Sequence, residues 1–420
     1  MNPKSNSRKL ILGSGLIGNA LDNYDTALYV YLAPFIAPIF FEKSDPVVAL
    51  ILAYGLMSTN VITKPLGALL FGKMALAYGA KRTLLVTLTG VAVSTFCLGL
   101  LPGYAEIGIC APILLAIIRM IQGFFASGEA SIMPLMIIEQ AEPTKRSRAS
   151  SYYLCSTMGG IMLASLAATW VSQTDNPGYY WRMPFFASIL TAIAGLWLRS
   201  LFKDIPVEKI RAGISASRMI VTNKGKVLRV VLVSSFSYIT YAIPFIFMNK
   251  FLPMISNITD TEMLAHNNML LALDIMLLLV FGRVAEKFSY NKWMAVMSGL
   301  LAFTIVPVFY LLPISSIWEV TMLRLWIVVL GVAFVAPLKA WFYELFEGSE
   351  RYLVMGFGYA IGTELLGRNS IAICWTLFYV SNNYLIPAFY IMLVSLLATA
   401  ALLWPRSVIS VNAEICSRPS

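Results

Sequence analysis

The sequence predicts an all-α polytopic membrane protein, with twelve transmembrane helices in two pseudo-symmetric six-helix bundles. Three observations lead there. The 420-residue chain is 59% hydrophobic and only 12% charged, whereas an ordinary soluble domain is about 25% charged. Its apolar residues fall in long blocks, and roughly 20 residues suffice to cross a hydrocarbon core of about 30 Å. Lys and Arg gather in alternate connections between those blocks.

The first block, 10–40, follows the basic residues Lys4, Arg8 and Lys9. No small-residue cleavage site ends it, so it reads as a retained span rather than a signal peptide. The second, 47–73, precedes Lys81 and Arg82, and the third, 83–102, leads into LPGYAEIGICAP, which has no Lys or Arg. Span 111–138 runs to Lys145, Arg146 and Arg148, after which 150–171 and 183–202 complete the first half. The longest polar break, 203–226, is rich in Lys and Arg. Spans 227–249 and 264–283 follow, with Arg283, Lys287 and Lys292 marking the next connection. The remaining spans are 292–312, 319–344, 352–380 and 385–404; LLPISSIWEV and YVSNNYLIP between them lack Lys and Arg. The positive-inside rule then places both termini and the central loop in the cytoplasm. The expected organisation is a bundle at 1–202, a cytoplasmic linker at 203–226, and a bundle at 227–420 ending in a short cytoplasmic tail.

The halves echo one another. Arg119 precedes Glu139 by 20 positions, as Arg324 precedes Glu344; Glu142 and Arg146 match Glu347 and Arg351 at the same offset of 205. FGKMALAYGAKR (71–82) is echoed by FGRVAEKFSYNK (281–292). Internal duplication of six-helix units is one way transporters are built.

Several function classes are excluded. The net charge of +10 is scattered through connections, with no continuous basic face, so nucleic acid is not an expected partner. Cys97, Cys110, Cys155, Cys374 and Cys416 are odd in number and unpaired in spacing, which argues against a disulfide framework. A single histidine, His266, read as lying in a polar loop, cannot build a histidine metal site. No GxxxxGK[ST] loop is present, and no nucleophile–base pair suggests an enzyme. No cofactor or metal is expected.

Several stretches carry a resemblance. GNALDNYDTALYVYLAPFIAPIFF (18–41), KPLGALLFGKMALAYGAKRTLL (64–85) and LGLLPGYAEIGICAPILLAIIRMIQGFFASGE (98–129) are the main ones, the last with the core Arg119, Gln122 and Gly123. WRMPF (181–185) and ELFEGSERY (344–352) fit equivalent loops. Together they resemble the metabolite:proton symporter family of the major facilitator superfamily, which includes carriers of proline and glycine betaine, citrate, 2-oxoglutarate and shikimate. The resemblance implies the major facilitator fold and proton-coupled uptake of a small metabolite through a bacterial-type inner membrane, by a monomer in the lipid bilayer. Export of a metabolite, siderophore or drug, and a transport-derived sensor or scaffold, are the other readings. The chain departs from the family at Leu76 and Ala80, where the superfamily loop has Asp and Arg, and at Asn23 and Thr26, where the family's first span is aromatic.

Charges at membrane depth cost about 2.5–3.5 kcal/mol each by insertion scales and call for a reason. Asp22, Asp25 and Tyr29 are spaced i, i+3 and i+7, one helix face. If that face lines a cavity, the two carboxylates are candidates for proton coupling; otherwise one of them pairs with a cation such as Lys64. Asp25 matches the family's position. Glu129, about 15 Å along the helix from Arg119, is a second proton site or a structural partner of cations. Arg119 is a bidentate anchor for a carboxylate. Glu364 and Arg368, four apart, are a self-neutralising pair or substrate contacts. Expected substrate contacts are Asn19, Tyr29, Arg119, Gln122, Tyr241, Tyr359, Glu364 and Arg368. Lys81, Arg82 and Glu286 are expected gate residues. Lys339 is expected to snorkel toward the cytoplasm and Asp274 to meet a facing cation.

Overall fold

A computed structural model describes residues 3–41, 46–200 and 216–404. Twelve helical runs account for nearly all of them, and the described residues contain no strand. They are α1 (Pro3–Phe40), α2 (Val48–Tyr78), α3 (Ala80–Leu100), α4 (Cys110–Glu139), α5 (Arg146–Ser172) and α6 (Ser188–Ser200). The second half supplies α7 (Lys224–Ile255), α8 (Asp260–Lys287), α9 (Tyr290–Ile314), α10 (Ile317–Leu345), α11 (351–381) and α12 (Ile386–Leu403). Among the described residues nine of these are long and apolar enough to cross a membrane. Of the remaining three, α1 carries Asp22 and Asp25, α6 is described for 13 residues, and α11 has π-turns at Arg351–Met355 and Thr363–Arg368. The expected linker is described only from Ala216 onward, where Ala216–Thr222 is helical. Residues 203–215, and the tail from 405 that includes Cys416, lie outside the described residues.

The distribution of polarity is inverted relative to a water-soluble protein. Phe303 is 84% exposed, and Ile62, Leu66, Leu190 and Trp197 also lie on the outside. Arg119, Arg229, Arg324 and Glu364 are buried. Lipid explains both sides: apolar side chains face hydrocarbon at no cost, whereas charges there must turn inward and find partners.

Local sequence sets the helix ends. α8 and α10 each begin with a capping box, Thr259 with Glu262 and Ser316 with Glu319, which satisfies otherwise orphaned backbone donors. Gly79 separates α2 from α3 at φ 91°, a left-handed conformation that a side chain would strain. His266 is in the first turns of α8 rather than in a loop, with Nδ1 2.8 Å from Thr321 Oγ1.

Small residues let the helices approach. A Cβ on Gly160 of α5 would collide with the Ala20 carbonyl of α1, and one on Gly362 of α11 with the Val231 carbonyl of α7. Such close backbone contacts are the usual glue between spans. Gly159, by contrast, faces open space.

Two helix pairs join the halves. α5 lies along α8: Arg148 meets Glu286 at one end, Cys155 Sγ is 3.6 Å from the Ile275 carbonyl midway, and Asn267 and Asn268 donate to Ser165 and Thr169 at the other. α2 lies along α11, with Gly72 against the Tyr352 carbonyl and Lys64 against Glu364. Both ends of the interface are thereby bridged.

Candidate functional site

Helices of both halves enclose a cavity of about 180 Å³. α1 contributes Asn19, Asp22, Asn23 and Thr26; α2 contributes Asn60 and Lys64; α4 contributes Arg119 and Gln122; α5 contributes Tyr153 and Thr157. Across from them stand Tyr238 and Tyr241 of α7, Asp274 of α8, Lys339 of α10, and Tyr359, Thr363 and Arg368 of α11.

Arg119 is 2% exposed and donates to the side-chain amide oxygen of Gln122, one turn further along α4. Gln122 is in turn fixed by donating to Thr95 Oγ1 (2.6 Å) and to the backbone oxygen of Asp25 (3.3 Å). The guanidinium also lies over the Tyr29 ring, 4.3 Å from its centre. Among the described residues no carboxylate comes within 4.0 Å of it. Nε has no hydrogen-bond partner. Arg119 is thus a rigidly held cation whose natural counter-charge is absent from its own surroundings.

A second cluster bridges the halves. Lys64 Nζ is 2.5 Å from Glu364 Oε1, and Arg368 Nε is 3.2 Å from the same oxygen. The π-turn over Thr363–Arg368 widens the helix here, which places Glu364 fully inside while Arg368 reaches the cavity wall. The expected Glu364–Arg368 pair is present, with Lys64 added to it. Lys64 meets Glu364, and it is not the partner of an α1 aspartate. Two cations share one carboxylate, an arrangement that tolerates an incoming anion.

The expected shared face of Asp22, Asp25 and Tyr29 is corrected. Asp22 lines the cavity, but Asp25 is buried behind it, where Thr191 of α6 donates to its Oδ2 at 2.9 Å. Tyr29 is also turned away: its hydroxyl donates to the Ala53 carbonyl (2.8 Å), and its ring backs Arg119. Three residues along an α-helix rotate a side chain by about 300°. The remaining 60° is enough to place Asp22 toward the solute space and Asp25 against α6. Glu129 is buried on α4 but is not part of the lining.

Asn19 faces the cavity while donating to Ser156 (2.7 Å) and Thr157 (2.8 Å), so its amide ties α1 to α5. Tyr241 lines the wall with its hydroxyl 3.4 Å from that of Tyr31 on the opposite half. Tyr359 lies under Lys339, whose Nζ is 3.4 Å from the ring centre. Lys339 does not snorkel: it is 2% exposed and lines the cavity. Asp274 lines it too, with Oδ1 unbonded, and meets no cation within 4.0 Å among the described residues.

Of the expected gate residues, Glu286 makes the strongest contact. Arg148 Nε donates to both its oxygens at 3.0 and 2.8 Å, and Arg148 Nη2 is 2.8 Å from Oε2. This bidentate geometry joins α8 to α5 across the halves. Lys81 and Arg82 begin α3. Leu76 and Ala80, close by in the chain, are packed in the apolar core. Arg148, Tyr153, Tyr238 and Thr157 were not singled out as site residues. Arg148 was visible only as one of a cluster of loop cations, and the others are common residue types in spans.

Comparison with known proteins agrees with this architecture. The model of the Major Facilitator Superfamily matches residues 16–363. The glycine betaine/proline/ectoine/pipecolic acid transporter OusA of Dickeya dadantii is 28% identical, over 93% of this chain and 81% of that one. The proline/betaine transporter of Escherichia coli K12 is 27% identical over 92% and 81%. The inner membrane metabolite transport protein YhjE, also of Escherichia coli K12, is 30% identical over 86% of each chain. Among solved structures, the proton:xylose symporter XylE superposes with a TM-score of 0.72 at 14% identity, covering 94% of this chain and 95% of its own.

Proposed function

The chain belongs to the Major Facilitator Superfamily and is a membrane transporter, not an enzyme; from that premise we propose that it takes up a small carboxylate or zwitterion together with protons, by alternating access across a bacterial inner membrane. The observation that carries this reading is Arg119: a buried cation, held in place by Gln122 and Tyr29, that faces a cavity shared by both halves without a carboxylate partner. A substrate carboxylate supplies that partner through charge-assisted hydrogen bonds. The Lys64–Glu364–Arg368 cluster beside it supplies further positive charge.

The proton sites we assign to the acids of the first half. Asp22 faces the cavity and exchanges with it, while Asp25 and Glu129 lie buried behind the wall. The two halves, 1–202 and 227–420, move against each other along the α5–α8 and α2–α11 seams. Opening toward the side where both termini are expected requires the Arg148–Glu286 pair to part.

Uptake into proteoliposomes with an imposed pH gradient tests this. Wild-type protein should concentrate a small carboxylate or zwitterion only when the gradient is present. Asp22→Asn should abolish that accumulation yet retain solute exchange. Accumulation at the wild-type level by Asp22→Asn, or accumulation indifferent to the gradient, overturns the coupling assignment.

A further inference from the structure

Lys339 is buried with no acid against it among the described residues. Its Nζ stands 3.4 Å from the centre of the Tyr359 ring, 5.5 Å from that of Phe342 and 5.7 Å from that of Tyr153. Phe342 and Tyr359 meet edge to face, 5.7 Å apart at 70°, and so form two walls of a corner. Tyr153 closes it from α5 in the other half. No carboxylate lies within 4.0 Å of Lys339 among the described residues. Aromatic faces grouped around an ammonium are the arrangement by which proteins recognise quaternary ammonium ligands.

Here the protein's own ammonium fills the box. A tethered group of this kind competes with free ligand at an effective concentration of the order of mM or above. The surrounding charge points the same way. Lys64, Arg119, Lys339 and Arg368 line the cavity against Asp22 and Asp274, and Glu364 adds a third carboxylate behind Lys64 and Arg368. Among the lining side chains themselves the count is four cations against two carboxylates, with Asp25, Glu129 and Glu364 buried behind them.

We infer that Lys339 is a built-in occupant of an aromatic cage at the cavity wall, that it bars solutes with a permanent cationic head, and that the transported solute is a small organic acid without one. The inference rests on the cavity being the solute site. Within the pair of classes proposed above, carboxylate or zwitterion, it selects the carboxylate.

Glycine betaine and 3,3-dimethylbutanoate separate the two cases. They share a carboxylate and a head of nearly the same shape, and differ in whether that head is charged. Binding is read as the concentration dependence of the thermal unfolding midpoint of purified protein, which needs no flux and no pH gradient. Wild type should bind 3,3-dimethylbutanoate about tenfold or more tighter than glycine betaine. Lys339→Met should reverse the preference, and adding Tyr359→Leu should remove the gain. Equal or tighter binding of glycine betaine by wild type overturns the inference, as does an unchanged preference in Lys339→Met. Failure of both proteins to bind either compound overturns it as well. Should Lys339→Met not fold, the wild-type preference alone decides. Loss of the switch alongside intact gradient-driven uptake refutes the cage while the transport reading stands; a clean switch in a protein that moves no solute does the reverse.

Discussion

Arg119 on α4 and Arg324 on α10 stand 205 positions apart in the duplicated pattern, and both are buried. Their surroundings have diverged. Arg324 donates to the Pro244 carbonyl at 3.0 and 2.5 Å, to Asn249 Oδ1 at 2.9 Å and to Asn267 Oδ1 at 2.8 Å. Those acceptors come from α7 and α8, so the guanidinium pins three helices of the second half together. Arg119 has one side-chain acceptor, Gln122, and otherwise an aromatic face and the cavity. One copy of the arginine spends Nε and Nη2 on four bonds to neighbouring helices, with only Nη1 left over, and is structural. The other retains free donors, and a buried cation with free donors at the cavity wall is what an anionic solute requires. Position in a repeat therefore does not assign function; the hydrogen-bond inventory around the position does.

The contrast can be broken from either side. Arg324→Gln should be the most damaging change, at about 3–5 kcal/mol of stability, because it strands three buried acceptors. A lowered unfolding midpoint in detergent checks it. Glu364→Gln should cost somewhat less, about 3 kcal/mol, since it leaves Lys64 and Arg368 facing each other without the acid that joins them. The same melt, repeated with Lys64→Met added, should recover part of the loss.

Arg119→Gln should leave the melt unchanged or raise it, because an isolated buried charge is removed. Solute binding should nevertheless weaken about 100-fold, near 2.7 kcal/mol, for the charge-assisted bonds lost. If Arg119→Gln and Arg324→Gln behave alike in both measurements, the distinction between the two arginines is wrong. The smallest effect belongs to Glu286→Gln. The Arg148 side chain is 38% exposed, so solvent screens the pair and little folding stability rests on it. Stability should barely move, while thiol labelling of a cysteine placed at Ser151, which packs against Gly282 beside the pair, should accelerate as the seam opens more often.

Much of the fold was legible beforehand. Span positions come from a strong constraint, since backbone polar groups in lipid must be satisfied within helices; the alternation of basic connections follows the positive-inside rule, and the offset of 205 follows the repeat of the halves. The Glu364–Arg368 pair was legible for a related reason, because its partners lie on one helix four residues apart. Lys64 as its third member was not, since it comes from a helix 300 positions away. Asp25 misled because spacing of i, i+3 describes one helix and says nothing about what flanks it. Lys339 misled because a lysine toward the end of a span snorkels unless rings enclose it, and those rings come from α10, α11 and α5.

The amino-acid sequence by itself determined that the chain crosses the membrane many times, in two related halves, with charges that lipid would not tolerate unless they faced inward. Composition and periodicity suffice for that, because the bilayer imposes one solvent rule on every span. Only the tertiary structure decided which of those charges meet one another and which meet the cavity. Helix geometry sets the roughly 60° about α1 that separates Asp22 from Asp25, and the packing of the helices around α1 decides which of the two faces the cavity.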